Sequence, residues 1–281
     1  LTKENKIHTT FKQTGTATGR LSSAEPNLQN IPIRTTLGRE LRHYFTPKNE
    51  NYVLVDADYS QIELRLLAAI SGDENMISAF LSGVDIHTST AANVFHVSES
   101  MVTSELRKRA KAVNFGIVYG IGEFSLSDDL HISMKEAKEY IESYKASYPL
   151  VDKYLKDIVD EGYTHGFVST LYGRRRYIPE LSGQNKMLKK FGERVAMNSP
   201  IQGTAADIIK VAMINVNRRL KDEGIDAKLI LQVHDELLVE AHKDCSDLAA
   251  KILREEMENA ILLPVPLSVE LTIGETWYDN K

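Results

Sequence analysis

Two acids, Asp58 and Asp235, each stand at the end of a short apolar run, and they come from distant parts of the chain. The first closes Tyr52-Val-Leu-Val-Asp-Ala-Asp58. The second sits in a His-Asp-Glu turn between Leu229-Ile-Leu-Gln-Val233 and Leu237-Leu-Val-Glu-Ala241. Short apolar runs bounded by turn residues read as strands. From Glu74 to Tyr163 the pattern is instead helical almost throughout. Strands at both ends with a helical middle predict an α+β fold, a sheet domain interrupted by a mostly helical insertion.

The remaining punctuation refines this outline. The Thr, Gly, Ser and Asn content from Thr9 to Pro32 reads as an extended or looping segment. Gln61 to Ile70 carries a helical pattern closed by Ser71-Gly72. Ser133 with Glu136 makes a capping box, and Pro149 marks the start of the next helix. Val168–Tyr172 and Arg175–Ile178 around Gly173 predict a small hairpin or loop. A long helical stretch from Lys186 to Leu220 is expected to break near Pro200. A helix from Asp247 to Ile261 and a strand from Leu267 to Leu271 close the pattern. No repeat and no low-complexity segment is present.

Composition excludes several classes. The chain is 42% hydrophobic and 26% charged, as globular proteins are. It has no apolar run of about 18 residues and no opening signal segment. The single cysteine, Cys245, rules out an internal disulfide and any multi-cysteine metal site, and is consistent with a reducing cytoplasm. The first residue is Leu1, which reads as a piece of a longer chain. The net charge of −5 is unevenly spread. His165–Arg194 holds seven Lys/Arg against two Glu, and Arg107, Lys108, Arg109 and Lys111 form a second basic cluster. From Asp235 onward eleven acids face four bases. A local basic surface suffices to bind a phosphate backbone.

Acids carried to the ends of buried strands want a cation or hydrogen-bond donors. If the two strands are neighbours, Asp58 and Asp235 make a hard-oxygen site suited to Mg²⁺, and two such ions can clamp an in-line phosphoryl transfer. Taken alone, Asp58 reads rather as a helix N-cap and Asp235 as a turn residue, and the neighbouring motifs reverse that. The helix expected over Thr103–Tyr119 adds weight. On it Arg107, Lys111, Phe115 and Tyr119 recur every fourth residue and share one broad face. Two cations followed by two rings match a nucleoside triphosphate lying along the helix, phosphates on the cations and base and sugar on the rings. Gly116 inside this helix allows a base or another backbone to approach, and Gly120 and Gly122 end it.

With these residues the chain resembles the family-A DNA polymerases, of the bacterial DNA polymerase I kind. Asp58-Tyr-Ser-Gln-Ile-Glu63-Leu-Arg is similar to the family's first catalytic motif, and Val233-His-Asp-Glu236 to its second. Arg107-x3-Lys111-x3-Phe115-x3-Tyr119-Gly120 is similar to its nucleotide-binding finger helix. Thr18-Gly-Arg-Leu-Ser-Ser23 with Pro26-Asn-Leu-Gln-Asn-Ile-Pro32, Gly173-Arg-Arg-Arg176 and Pro200-Ile-Gln-Gly-Thr-Ala-Ala-Asp207 match further segments, all in family order.

The resemblance implies a palm, an antiparallel sheet with flanking helices, in residues 1–63 and 191–281, and mostly helical fingers in residues 64–190. It implies template-directed DNA synthesis from a primer 3′-hydroxyl, with pyrophosphate release. Asp58, Asp235, the Tyr59 carbonyl and Glu236 would hold two Mg²⁺. Arg107 and Lys111 would meet the triphosphate, with Lys111 also protonating the leaving pyrophosphate, and His87 would bind the dNTP. Phe115, Gln61 and Glu63 would contact the nucleotide, Glu63 excluding ribonucleotides, and Tyr119 would stack at the insertion site. Arg20, Asn27, Gln29, Arg194, Asn198, Gln202 and His234 would contact primer-template DNA. Arg20 and Gln202 act there as minor-groove donors, which check pair geometry without reading sequence. A monomer in a bacterial cytoplasm, associated with the nucleoid, is implied. The family's thumb and exonuclease domains have no room ahead of Thr9, so weak grip, no proofreading and poor processivity are expected. A single-subunit RNA polymerase, a two-metal nuclease and a non-catalytic DNA-binding module are the rival readings. Glu63 and Phe115 speak against the first, and the triphosphate helix against the second.

Overall fold

The computed structural model describes residues 6–32 and 35–279. In chain order the elements are β1 (Thr10–Lys12), β2 (Ser22–Ala24), α1 (Thr36–Glu40), β3 (Tyr52–Tyr59), α2 (Ile62–Ser71), α3 (Glu74–Leu81), α4 (Ile86–Phe95) and α5 (Ser104–Val118). There follow α6 (Glu123–Leu130), α7 (Met134–Ser147), α8 (Pro149–His165), β4 (Phe167–Ser169), β5 (Arg175–Tyr177) and α9 (Lys186–Asp222). The last are β6 (Ala227–Val233), β7 (Glu236–His242), α10 (Ser246–Glu258) and β8 (Val269–Gly274). The fold is α+β, and it forms two compact units, residues 1–62 with 205–281, and residues 63–204.

The first unit is built on an antiparallel sheet of order β6-β7-β3-β8. β3 is central, and it is covered on both faces, by α10 and by the cluster around Trp277, which explains why its residues from Tyr52 to Ala57 are all buried and why its sequence is a nearly unbroken apolar run. α10 packs on the sheet through Ala249, Ile252, Leu253 and Met257, and the Tyr59 hydroxyl donates to the Met257 carbonyl at 2.6 Å. A separate apolar cluster joins Leu28, Leu54, Leu231, Val233, Leu238 and Trp277, with Phe11, Ile31 and Phe45 packed on it. β6 carries a bulge between Leu229 and Leu231, and Ile230 is thereby turned to solvent at 42% exposure.

β8 begins two residues later than the sequence predicts. Its first register partner is Tyr59, where β3 ends and the chain turns at Gln61 into α2, so regular pairing starts only at Val269.

The second unit holds α2 to α8, the β4–β5 hairpin and the first part of α9. Its local signals behave as read. Ser133 and Glu136 form the reciprocal capping box of α7, and Pro149 opens α8. The buried Asp73 caps α3 through the Met76 N–H and also accepts the Leu150 N–H at 2.9 Å, which ties the starts of α3 and α8 together. α9 differs from expectation. It runs unbroken through Pro200 for 37 residues. Proline in a helix interior costs roughly 3 kcal/mol. Here Pro200 is itself buried, with Ser199 and Ile201 buried on either side of it, and the helix continues through it. No helix among the described residues is long and apolar enough to cross a membrane.

Candidate active site

The two distant acids meet in the first unit. β6 and β7 are joined by a loop of two residues, His234 and Asp235, with Val233 paired to Glu236. A loop this short needs a residue with positive φ. His234 supplies it at φ 51°, an uncommon conformation for a non-glycine residue, which leaves its side chain exposed. β3 runs beside β7, so Asp58 stands directly opposite Glu236, and the Tyr59 N–H donates to the Asp235 carbonyl at 3.1 Å. Asp58, Asp235, Glu236 and His234 line one cavity of about 500 Å³, together with Gln29, Arg39, Arg42 and Tyr278.

Asp58 and Asp235 are half-buried, whereas Glu236 is 5% exposed and one of its oxygens accepts the Trp277 indole N–H at 2.7 Å. An Arg20 guanidinium nitrogen lies 3.9 Å from an Asp235 oxygen, a loose contact through which the cation balances the cluster. Among the described residues no three acidic, histidine or cysteine side chains close into a ready metal cage. The donor set nevertheless fits Mg²⁺, which takes one or two carboxylates and fills its remaining positions with water and substrate phosphate.

Asn27 and Gln29 both make contacts within the protein. The Asn27 side chain accepts the Gln29 N–H at 3.0 Å, capping a short turn. The Gln29 amide accepts the Ser23 N–H and donates to the Gln232 side-chain oxygen at 3.0 Å, while the Gln232 amide donates to the His234 carbonyl. This chain of amides braces the turn that carries Asp235. Gln61 has φ 55° at the turn from β3 into α2, with its side-chain oxygen buried and without a hydrogen-bond partner.

The second unit assembles the nucleotide-binding candidates. Thr103 caps α5 through the Leu106 N–H. Arg107 and Lys111 are exposed, Phe115 half-buried and Tyr119 39% exposed. Arg107 makes two hydrogen bonds to Asp85, at 2.8 and 2.9 Å. Burial opposes ionisation of Asp85, but the bonds from Arg107 and Thr88 outweigh it and hold the carboxyl down at about 2. The Tyr119 hydroxyl donates to the buried Glu63 carboxylate at 2.8 Å.

α5 ends in a reciprocal pair of backbone bonds, Ile121 N–H to the Gly116 carbonyl and Gly120 N–H to the Ile117 carbonyl, with Gly120 at φ 65°. This explains Gly116: a Cβ there would meet the Ile121 side chain at 2.5 Å, so the glycine makes room for the helix's own cap. A cavity of about 460 Å³ is lined by Phe115, Gly116, Tyr119, Gly120 and Arg194. Arg194, Asn198 and Gln202 lie on α9, and the Asn198 side-chain oxygen is buried without a hydrogen-bond partner.

His87 is fully buried under α5. Its Nδ1 lies 3.0 Å from the Asn114 amide nitrogen, which donates to it and leaves the proton on Nε2. Burial drives its pKa down to about 4; Asp85 opposes this and Arg107 and Lys111 reinforce it. A histidine held neutral in the folded state stabilises the fold above its unfolded value near 6.5, and that contribution drains away as pH falls toward 4. Wild type should therefore lose about 3 kcal/mol across that window. Asp85 stays ionised throughout it. Denaturant midpoints measured from pH 7 to pH 4 should fall less steeply in His87→Phe; parallel slopes would remove His87 as the cause.

The pattern of residues did not single out Gln232, Arg42, Trp277, Asp85 or Asn114. Asp85 carried a legible N-cap signal ahead of Thr88, but its pairing with Arg107 comes from packing.

The model of DNA polymerase family A matches residues 1–279. The chain belongs to DNA polymerase family A. It is 54% identical over 276 residues to DNA polymerase I of Geobacillus stearothermophilus and 53% identical over 277 residues to DNA polymerase I of Bacillus subtilis (strain 168). These matches cover 98% and 99% of the chain but 32% of each relative, so the chain spans about a third of their length. Among solved family-A structures, the polymerase domain of Pol1 from M. smegmatis, in complex with DNA primer-template and dNTP, superposes with a TM-score of 0.95 at 48% identity. That match covers 99% of this chain and 49% of the other.

Proposed function

We propose that the chain carries out template-directed DNA synthesis, adding dNTPs to a primer 3′-hydroxyl. The observation that carries this reading is the meeting of Asp58 and Asp235 beside Glu236 at one end of the β7–β3 pair. In this reading the sheet regions, residues 1–63 and 191–281, are the palm and residues 64–190 the fingers. Asp58, Asp235 and the Tyr59 carbonyl hold two Mg²⁺, with Glu236 beside them. When bound, the ions lower the pKa of the attacking hydroxyl and stabilise the leaving pyrophosphate.

The chain's own residues do the rest. Arg107 exchanges Asp85 for the triphosphate and Lys111 neutralises it; His87, buried under α5, offers its Nε2 proton only once α5 shifts to uncover the ring. The 3′-hydroxyl gives its proton to solvent as its oxygen bonds to the α-phosphorus, the bridge to the β-phosphate breaks, and Lys111 gives the departing pyrophosphate a proton. Gln61 and Phe115 contact the nucleotide, and Glu63, fixed by Tyr119, stands where a 2′-hydroxyl would fall. Arg20, Asn27, Gln29, Arg194, Asn198, Gln202 and His234 contact primer-template. The amide bonds of Asn27 and Gln29 support this by holding the turn rigid. Most of the catalysis is then positioning and charge stabilisation.

The test is single-nucleotide extension of a labelled primer-template by the 281-residue chain. The expected result is Mg²⁺-dependent addition of the complementary dNTP and little of the matching NTP. Equal use of NTP, primer degradation, or DNA binding without extension would each defeat the reading.

A further inference from the structure

Trp277 is the chain's single tryptophan and is fully buried in the first unit. It is gripped from several sides. Its backbone N–H donates to the Phe45 carbonyl at 3.0 Å, and the Phe45 ring meets its edge at 5.3 Å. The Arg42 guanidinium lies over its face, 4.0 Å from the centroid. Next to it Tyr278 stacks on His43 at 3.7 Å. What this clasp presents is the indole N–H, which goes to Glu236 opposite Asp58. An indole N–H only donates. With one carboxylate oxygen tied to it, the rotation of the Glu236 carboxyl is set, and so is the position of its second oxygen.

Arg42 itself is 4% exposed, and its Nε and Nη1 are buried without a hydrogen-bond partner. Two unmatched donors on a buried cation are costly, and a lone cation–π contact offsets only part of that. Arg42 lines the same cavity as Asp58, Asp235 and Glu236. A fixed positive charge there eases the mutual repulsion of three carboxylates.

We propose that Arg42 and Trp277 are positioning residues that set the Glu236 carboxylate for the divalent-cation site, so that the Trp277 ring reports occupancy of that site. The proposal rests on the assignment of the cation to Asp58 and Asp235, with Glu236 beside them. A cation that draws charge from Glu236 weakens the indole hydrogen bond, and indole emission follows its hydrogen bonding and its neighbouring charge.

The experiment titrates the whole chain with Mg²⁺ and follows tryptophan emission, with calorimetry as an independent measure of binding. Wild type should give a saturable emission change that is absent in the Asp58→Asn, Asp235→Asn double variant. Glu236→Gln, which keeps the ring, should lose the change while still binding Mg²⁺ by calorimetry. Arg42→Met should shift the midpoint roughly 10–100-fold to higher Mg²⁺, the range seen when outer-shell partners of metal ligands are removed. Should Arg42→Met fail to fold, Arg42→Lys, which keeps the charge but loses the planar stack, serves with a smaller shift in the same direction. Trp277→Phe should lower kcat for incorporation without changing KM for dNTP, whereas a purely structural role would move only the melting temperature. Mg²⁺ binding by calorimetry with silent emission, or an unchanged response in Glu236→Gln, overturns the proposal. Absence of Mg²⁺ binding by either measure overturns the metal assignment itself.

Discussion

Asp58→Ala or Asp235→Ala should reduce nucleotide incorporation by about 10,000-fold, or about 5 kcal/mol of transition-state stabilisation. The expectation follows from where the acids stand. Both are half-buried and line the cavity, and the backbone that carries them is held by the β7–β3 ladder and by the Tyr59 N–H on the Asp235 carbonyl. Removing either carboxylate takes away a cation ligand that Glu236, fixed by Trp277, is poorly placed to replace. The fold should be spared. Three acids in one cavity repel one another, so deleting one relieves strain, and the melting temperature should hold or rise slightly. Pre-steady-state single-turnover assays with matched thermal melts check both halves. Retention of even a tenth of wild-type turnover would remove the residue from the metal set.

Lys111→Ala should lower kcat by roughly 100- to 1,000-fold, within the range that general-acid groups contribute. Lys111 is exposed on α5, one turn from Phe115, with its ammonium 5.9 Å from that ring. Arg107 offers a contrast. It is engaged by Asp85, so Arg107→Ala removes a ground-state partner of the triphosphate and should act mainly on KM. Rapid-quench kinetics over a dNTP series separates the two effects. If Lys111→Ala changed only KM, its role would shrink to electrostatic holding.

Much of this was legible before any coordinates. The apolar runs around Asp58 and Asp235 and the four-residue spacing on α5 are local patterns, and local patterns survive folding when packing agrees with them. The failures have tertiary causes. Pro200 reads as a break because a single residue's geometry says so, yet a buried helix can absorb it. Gly116 reads as space for a ligand, and the space is taken by Ile121, five residues on, once the helix turns back on itself. Arg42 and Trp277 carry no spacing that points to Glu236, because their meeting depends on segments some 230 residues apart coming together, which no periodicity records.

The turn bearing His234 and Asp235 also limits how this end of the molecule can be altered. Strand registers on both its flanks are fixed, and a slip of that register by one residue would swing every following side chain of β7 to the opposite face, carrying Glu236 off the indole and Leu238 out of its cluster. A designer retuning cation preference here has side chains to exchange but no chain length to spend.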